Sequence, residues 1–191
     1  MTLPRTSRPR DPDADDRATT ARALRTLYVT RFGFALVWAV LLATTADTLG
    51  PWAGVLLVLY PLVDVAAAVV DLRSSERRGP GLRVAIGLSL LAAVGLAAAT
   101  TSGEAAVLRV WGAWAIAAGI VQLVVAAGRR GLGGQWPQIV SGSVSALLGV
   151  VFVVQAGGDD PSLASIAGYA VGGGVLFLVS ALRLYRSAPE I

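Results

Sequence analysis

Asp64 is the residue of this chain best placed to do chemistry, because it interrupts the apolar run "PWAGVLLVLYPLVDVAAAVVDL". If the run is helical, Asp64 sits about 10 Å from its basic end, at about 1.5 Å per residue. A charged carboxylate at that depth in hydrocarbon costs several kcal/mol unless it is paired, solvated or protonated. Tyr60 lies one helical turn earlier on the same face, and Pro61 removes a backbone N–H beside it and frees a carbonyl. Arg31, about one turn into the preceding apolar run, is the candidate ion-pair partner. Its long side chain can reach inward or extend toward the surface. Gln122 and Arg109 are two further polar residues inside apolar runs. An amide at mid-span suits an interhelical hydrogen bond. Arg109 has Asp47, Asp159, Asp160 or a lipid phosphate as candidate partners. Asp64, Arg31, Tyr60, Gln122 and Arg109 thus form a candidate intramembrane polar site, which either locks helices together or takes up a proton or ion.

Other chemistries lack their residues. The 191-residue chain has no Cys and no His, which removes thiol nucleophiles, disulfides and the ordinary zinc, haem and iron–sulfur ligands. No metal site, cofactor site or catalytic residue is expected. Glu76, Glu104 and Glu190 fall in connections or the tail, so no carboxylate pair has acid–base spacing, and the chain reads as non-enzymatic. All basic residues are arginine and the isoelectric point is near 10.3, yet the arginines stand between apolar runs without interleaved aromatics, which argues against nucleic acid.

The elements that must carry these residues are apolar helices. Hydrophobic residues make up 55% of the chain, charged ones 15%, and mean hydropathy is +0.67, outside the range of ordinary soluble domains. Six stretches approach the roughly 20 residues that cross a bilayer: 27–46, 51–71, 82–100, 105–127, 136–155 and 163–184. Pro51, Pro137 and Pro161 mark helix starts, with Asp160 as a natural N-cap. Residues 1–24, with three prolines, Arg5, Arg8 and Arg10 and the cluster Asp11, Asp13, Asp15 and Asp16, read as a disordered cytoplasmic tail that turns helical from Ala18 onward, and 187–191 as a short cytoplasmic C-terminus. Every arginine except Arg31 and Arg109 falls on one side of this arrangement, so the positive-inside rule places both termini in the cytoplasm. Tyr28, Trp136 and Tyr185 are then expected at the inner interface, and Trp52, Trp111 and Trp114 at the outer one.

The spans repeat. Even-numbered spans align on Gly54, Gly112 and Gly168, odd-numbered ones on Gly33, Gly87 and Gly142, giving a unit of about 55 residues three times over. A two-helix unit returns the chain to the same side, so the copies are parallel. The fold class is therefore all-α integral membrane, with six transmembrane helices as three parallel hairpin repeats at about 25–73, 80–130 and 135–186 within a 25–186 domain. Small residues mark helix-packing faces: Gly168 and Gly172, Ala115 and Gly119, and Ser141, Ser145 and Gly149.

The Gly-started odd spans and the small-residue segments "GAWAIAAGIVQLVVAAGRR" and "GYAVGGGVLFLVSALRLYR" resemble the HdeD-like family of bacterial membrane proteins. The resemblance covers about residues 25–186. It implies a six-helix inner-membrane protein of the plasma membrane, with acid-stress resistance attributed to some members, and brings no catalytic residues. The leading expectation is thus a non-enzymatic protein of acid or envelope stress. A small transporter or channel using Asp64, and an assembly partner of another membrane protein, are the competing expectations. The bilayer, a second copy or another membrane protein are the candidate partners.

Overall fold

The computed structural model describes residues 12–45, 49–74, 80–128 and 136–186. Among these, all regular structure is helical: α1 Pro12–Thr45, α2 Pro51–Ser74, α3 Pro80–Ala99, α4 Glu104–Gly128, α5 Trp136–Gln155 and α6 Ala164–Arg186.

Local chemistry accounts for the boundaries. Proline occupies the first position of α1, α2 and α3, where a missing N–H costs nothing and its fixed φ suits a helix. Between α3 and α4 the chain turns through Gly103, whose φ of +97° favours a residue without Cβ. Its carbonyl accepts from Ala106 and Val107 to start α4. Two boundaries differ from expectation. α1 begins at Pro12, inside the segment read as a disordered tail. Proline at the first helical position, aspartates in the opening turns and the alanine-rich stretch that follows all favour a helix, which the polar composition obscures. The cap of α6 is Ser162, not Asp160: Ser162 Oγ accepts the Ala164 N–H at 3.3 Å, while Asp160 stands exposed in the preceding bend.

Each helix packs on its neighbours in the chain, and α6 returns to α1, so the six form a closed ring. The broadest interfaces are α4/α5, α1/α6 and α2/α3, followed by α3/α4; α1/α2 and α5/α6 are narrower. The ring is filled by Trp38 and Leu42 from α1, Leu57 from α2, Leu96 from α3, Trp111 from α4 and Ile166 from α6. Its outer surface is apolar too: Val37, Leu91, Val94, Val124, Leu147 and Val154 are all exposed. Three helices, α2, α3 and α4, are long and apolar enough over Pro51–Val69, Pro80–Ala99 and Glu104–Ala127 to cross a membrane. Shorter apolar segments lie at Phe32–Thr45, Ile139–Gln155 and Ala164–Leu176.

The α4/α5 interface is a glycine seam. A Cβ added to Gly112 would stand 2.6 Å from the Gly149 carbonyl oxygen, and one on Gly119 would stand 2.5 Å from that of Gly142. The converse distances are 2.7 Å from Gly149 to the Gly112 oxygen and 2.9 Å from Gly142 to the Gly119 oxygen. Each helix thus offers two buried glycines two turns apart, in antiparallel register, and backbone meets backbone. Ala115 is buried on the same helix, and Ser141 is half-buried on α5. Gly168 and Gly172, read from the sequence as a packing pair, meet no other helix of the same chain: both are exposed, with nothing within 4 Å of an added Cβ. The close approach on α6 is made by buried Gly174, against Phe32 and Ala35 of α1.

The seam makes a sharp prediction. Gly119→Ala should destabilise the protein by about 1–3 kcal/mol, because the clash is with backbone that must move. Gly168→Ala, in open space, should be neutral or slightly stabilising, since Ala is the better helix former by about 1 kcal/mol. Thermal unfolding of the two purified variants checks this; equal effects would mean that α4 and α5 are not in backbone contact.

Candidate functional site

The interior of the ring holds a cluster of aromatic rings with a thin chain of polar groups at its side. Trp38 stacks on Trp111 with ring centres 5.6 Å apart and planes 18° apart. Tyr60 meets Trp38 at 4.6 Å and Trp111 at 5.4 Å. Trp114 stands edge-on to Trp111 at 5.3 Å, and Tyr169 edge-on to Phe152 at 5.6 Å. These tilted and T-shaped contacts are the geometries aromatic quadrupoles prefer. Trp111 and Trp114, expected at the outer interface, are therefore core residues, and Trp111 is 0% exposed. They lie three residues apart on α4, on one helical face, and that face turns inward. Trp52 and Trp136 do reach the surface, at 75% and 73% exposure. The side chains of Tyr28 and Tyr185 lie outside the described residues.

Asp64 is half-buried on α2, one turn after Pro61 and Tyr60. Ser89, on α3 and only 3% exposed, donates its hydroxyl proton to Asp64 Oδ2 at 3.2 Å. The same Ser89 Oγ accepts the indole N–H of Trp114 on α4 at 3.3 Å. A relay Trp114–Ser89–Asp64 thereby joins three helices through hydrogen bonds. Elsewhere in the core, Trp38 Nε1 donates to the Leu56 carbonyl at 2.7 Å, one residue before the carbonyl of Leu57 that Pro61 leaves without its helical donor. Tyr169 of α6 and Ser145 of α5 share a hydrogen bond of 3.0 Å. Trp111 Nε1 is buried without a hydrogen-bond partner, enclosed by the surrounding rings.

Four residues of the sequence-based site, Asp64, Tyr60, Gln122 and Arg109, have described side chains, and these fall in three places. Asp64 and Tyr60 share one face of α2, and both make further interactions. The Arg31 side chain lies outside the described residues. Gln122 is half-buried against α5, where Gly142 approaches its Cβ, two turns beyond Trp114. Arg109 is exposed, and its Nη2 donates to the carbonyl of Ala156 at 3.1 Å. That carbonyl lies just past the end of α5, where helix carbonyls lack partners and a cation is favourable. Ser89 escaped the sequence reading because one serine in an apolar helix carries no signal of its own. The signal that existed was the placement of Trp38, Trp111 and Trp114 away from the ends of their helices. Among the described residues, no three His, Cys, Asp or Glu side chains gather to hold a metal ion.

Neither a protein-family model, nor a curated protein, nor a solved structure matches the chain. The resemblance to the HdeD-like family therefore rests on the pattern of the spans alone.

The Ser145–Tyr169 bond ties α5 to α6 where their interface is narrow. Ser145→Ala and Tyr169→Phe should each lower thermal stability. The double variant should lose less than the sum, with a coupling of about 0.6 kcal/mol as for buried interhelical bonds. Additive losses in the thermal midpoints would show that the bond contributes nothing.

Proposed function

We propose that this chain is a non-enzymatic multi-pass protein of the bacterial inner membrane, of the HdeD-like kind, serving acid or envelope stress through the integrity of its helix bundle. The observation that carries the reading is the inside-out distribution of its residues. Aromatic side chains fill the ring, and large aliphatic ones cover its outside. An exposed apolar belt of this extent calls for lipid or protein around it. Six spans with both termini cytoplasmic follow from the arginine distribution. Three parallel hairpin repeats are supported by the alternation of interfaces: the broad contacts α2/α3, α4/α5 and α6/α1 each join the second helix of one hairpin to the first of the next. The half-buried Asp64 favours one second reading, a small transporter or channel. The aromatic filling of the ring weighs against a continuous aqueous path beside it.

Reporter fusions test the membrane reading. The N-terminus, the 72–82 and 128–135 connections and the C-terminus should report cytoplasmic. The connections around Asp47, Gly103 and Asp159 should report external. An external 72–82 connection, with its three arginines, would overturn the topology. Cells lacking the protein should survive acid shock less well. Restoration by the wild type but not by a bundle-loosening Gly119→Ala variant would favour action through packing. Full restoration by Gly119→Ala with failure of Asp64→Asn would favour transport.

A further inference from the structure

We propose that Trp114 is a built-in reporter of the charge on Asp64, coupled to it through the single hydroxyl of Ser89. The proposal rests on the geometry of the core and holds whether or not the cell uses the protein under stress.

Ser89 has one proton to give and two lone pairs to offer. Its oxygen is already engaged by the Trp114 N–H, and its proton goes to Asp64 Oδ2. A hydroxyl that donates to a carboxylate becomes a better acceptor, because consecutive hydrogen bonds polarise one another. The bond to an ionised carboxylate is also charge-assisted, roughly twice as strong as a neutral one. An ionised Asp64 therefore tightens the hold of Ser89 on Trp114. When Asp64 takes up a proton from solution, the charge assistance ends. If the new acid O–H points at Ser89, the serine proton turns to the helix carbonyl four residues back, that of Ala85. In both arrangements the indole is held less firmly. Water cannot mask the change on the serine side, since Ser89 and Trp114 are buried.

The groups that face Asp64 define what else can act on it. Tyr60 precedes it by one turn on α2. From α3 comes Ser89; the charged residue of that helix, Arg83, is exposed, six residues earlier toward the helix start. α4 presents Trp114 and, between Arg109 and its end at Gly128, no charged residue. On α6, the Tyr169 hydroxyl lies within the electrostatic reach of Asp64. α1 carries Arg31, whose side chain lies outside the described residues. Trp114 reaches the carboxylate through Ser89, while Trp111 stands edge-on to Trp114 and Trp38 stacks on Trp111.

The test uses the full chain labelled with 5-fluorotryptophan, which gives one fluorine resonance for each of five tryptophans. The Trp114 line is assigned by its loss in Trp114→Phe. Asp64→Asn keeps the shape and an acceptor oxygen but removes the charge. At neutral pH it should shift the Trp114 line while leaving Trp52 and Trp136 in place. In the wild type, lowering the pH should move the Trp114 line along one sigmoidal transition toward its Asp64→Asn position. That transition should be absent from Asp64→Asn and lost again in Ser89→Ala. A Trp114 line that ignores both pH and Asp64→Asn overturns the proposal, as does an equal transition in Ser89→Ala. If Ser89→Ala does not fold, the comparison of wild type with Asp64→Asn decides alone. A failed topology assay leaves this result intact, and a failed fluorine experiment leaves the topology intact, so the two readings fall separately.

Discussion

The contact of α6 on α1 turns a row of helices into a ring, and the rest of the structure depends on it. Inside the ring, Trp38 of α1 stacks on Trp111 of α4, two helices that are not neighbours around it. Closure is made where Gly174 meets Phe32 and Ala35, one helix resting on small atoms of the other. Close approach of this kind is the appropriate device for helices that are apolar on every side. In the membrane setting proposed above, no hydrophobic force draws such helices together, so dispersion contacts and a few buried hydrogen bonds must hold them. The α4/α5 seam repeats the same device more tightly, with glycine facing glycine across both turns.

Within the closed ring the polar groups are few and individually anchored. Trp38 finds the Leu56 carbonyl, Tyr169 finds Ser145, and Trp114 finds Ser89 and through it Asp64. Each bond joins different helices, so each fixes their register as well as satisfying a buried atom. Arg109 serves the end of the bundle in the same way, covering a carbonyl past the end of α5. Among the described residues the exception is Trp111 Nε1, buried without a partner, which the aromatic packing around it must offset.

Much of this architecture is legible in the sequence, and the limit of legibility has a physical cause. Six helices follow from six apolar runs; of the prolines expected at helix starts, Pro51 opens α2 and Pro137 stands second in α5, while Pro161 precedes α6 by three residues. The inward face does not follow, because residues on both sides of each helix are apolar and periodicity then carries little information. Hence Trp111 and Trp114 look like interface residues until they are seen in the core. Glycine spacing is similarly ambiguous. Gly168 and Gly172 have a helix-pairing interval yet face open space, whereas Gly112 and Gly149 meet because α4 and α5 run in a register that spacing within one helix cannot reveal. Asp64 was identifiable as an expensive residue. Its Ser89 and Trp114 partners depend on how three helices are arranged, which no single run encodes.

The most direct measurement concerns the closure of the ring. The chain has no cysteine, so a pair can be introduced without background. A Cβ on Gly174 stands 3.3 Å from that of Ala35, close to the roughly 3.5–4.5 Å across a disulfide. Under mild oxidation the Ala35→Cys, Gly174→Cys double variant should form a bridge within one chain, seen by mass spectrometry as a linked α1–α6 peptide from monomeric protein. The Ala35→Cys, Gly168→Cys pair should not. Failure of the first pair to bridge, or bridging only between two chains, would contradict a ring closed by α1 on α6.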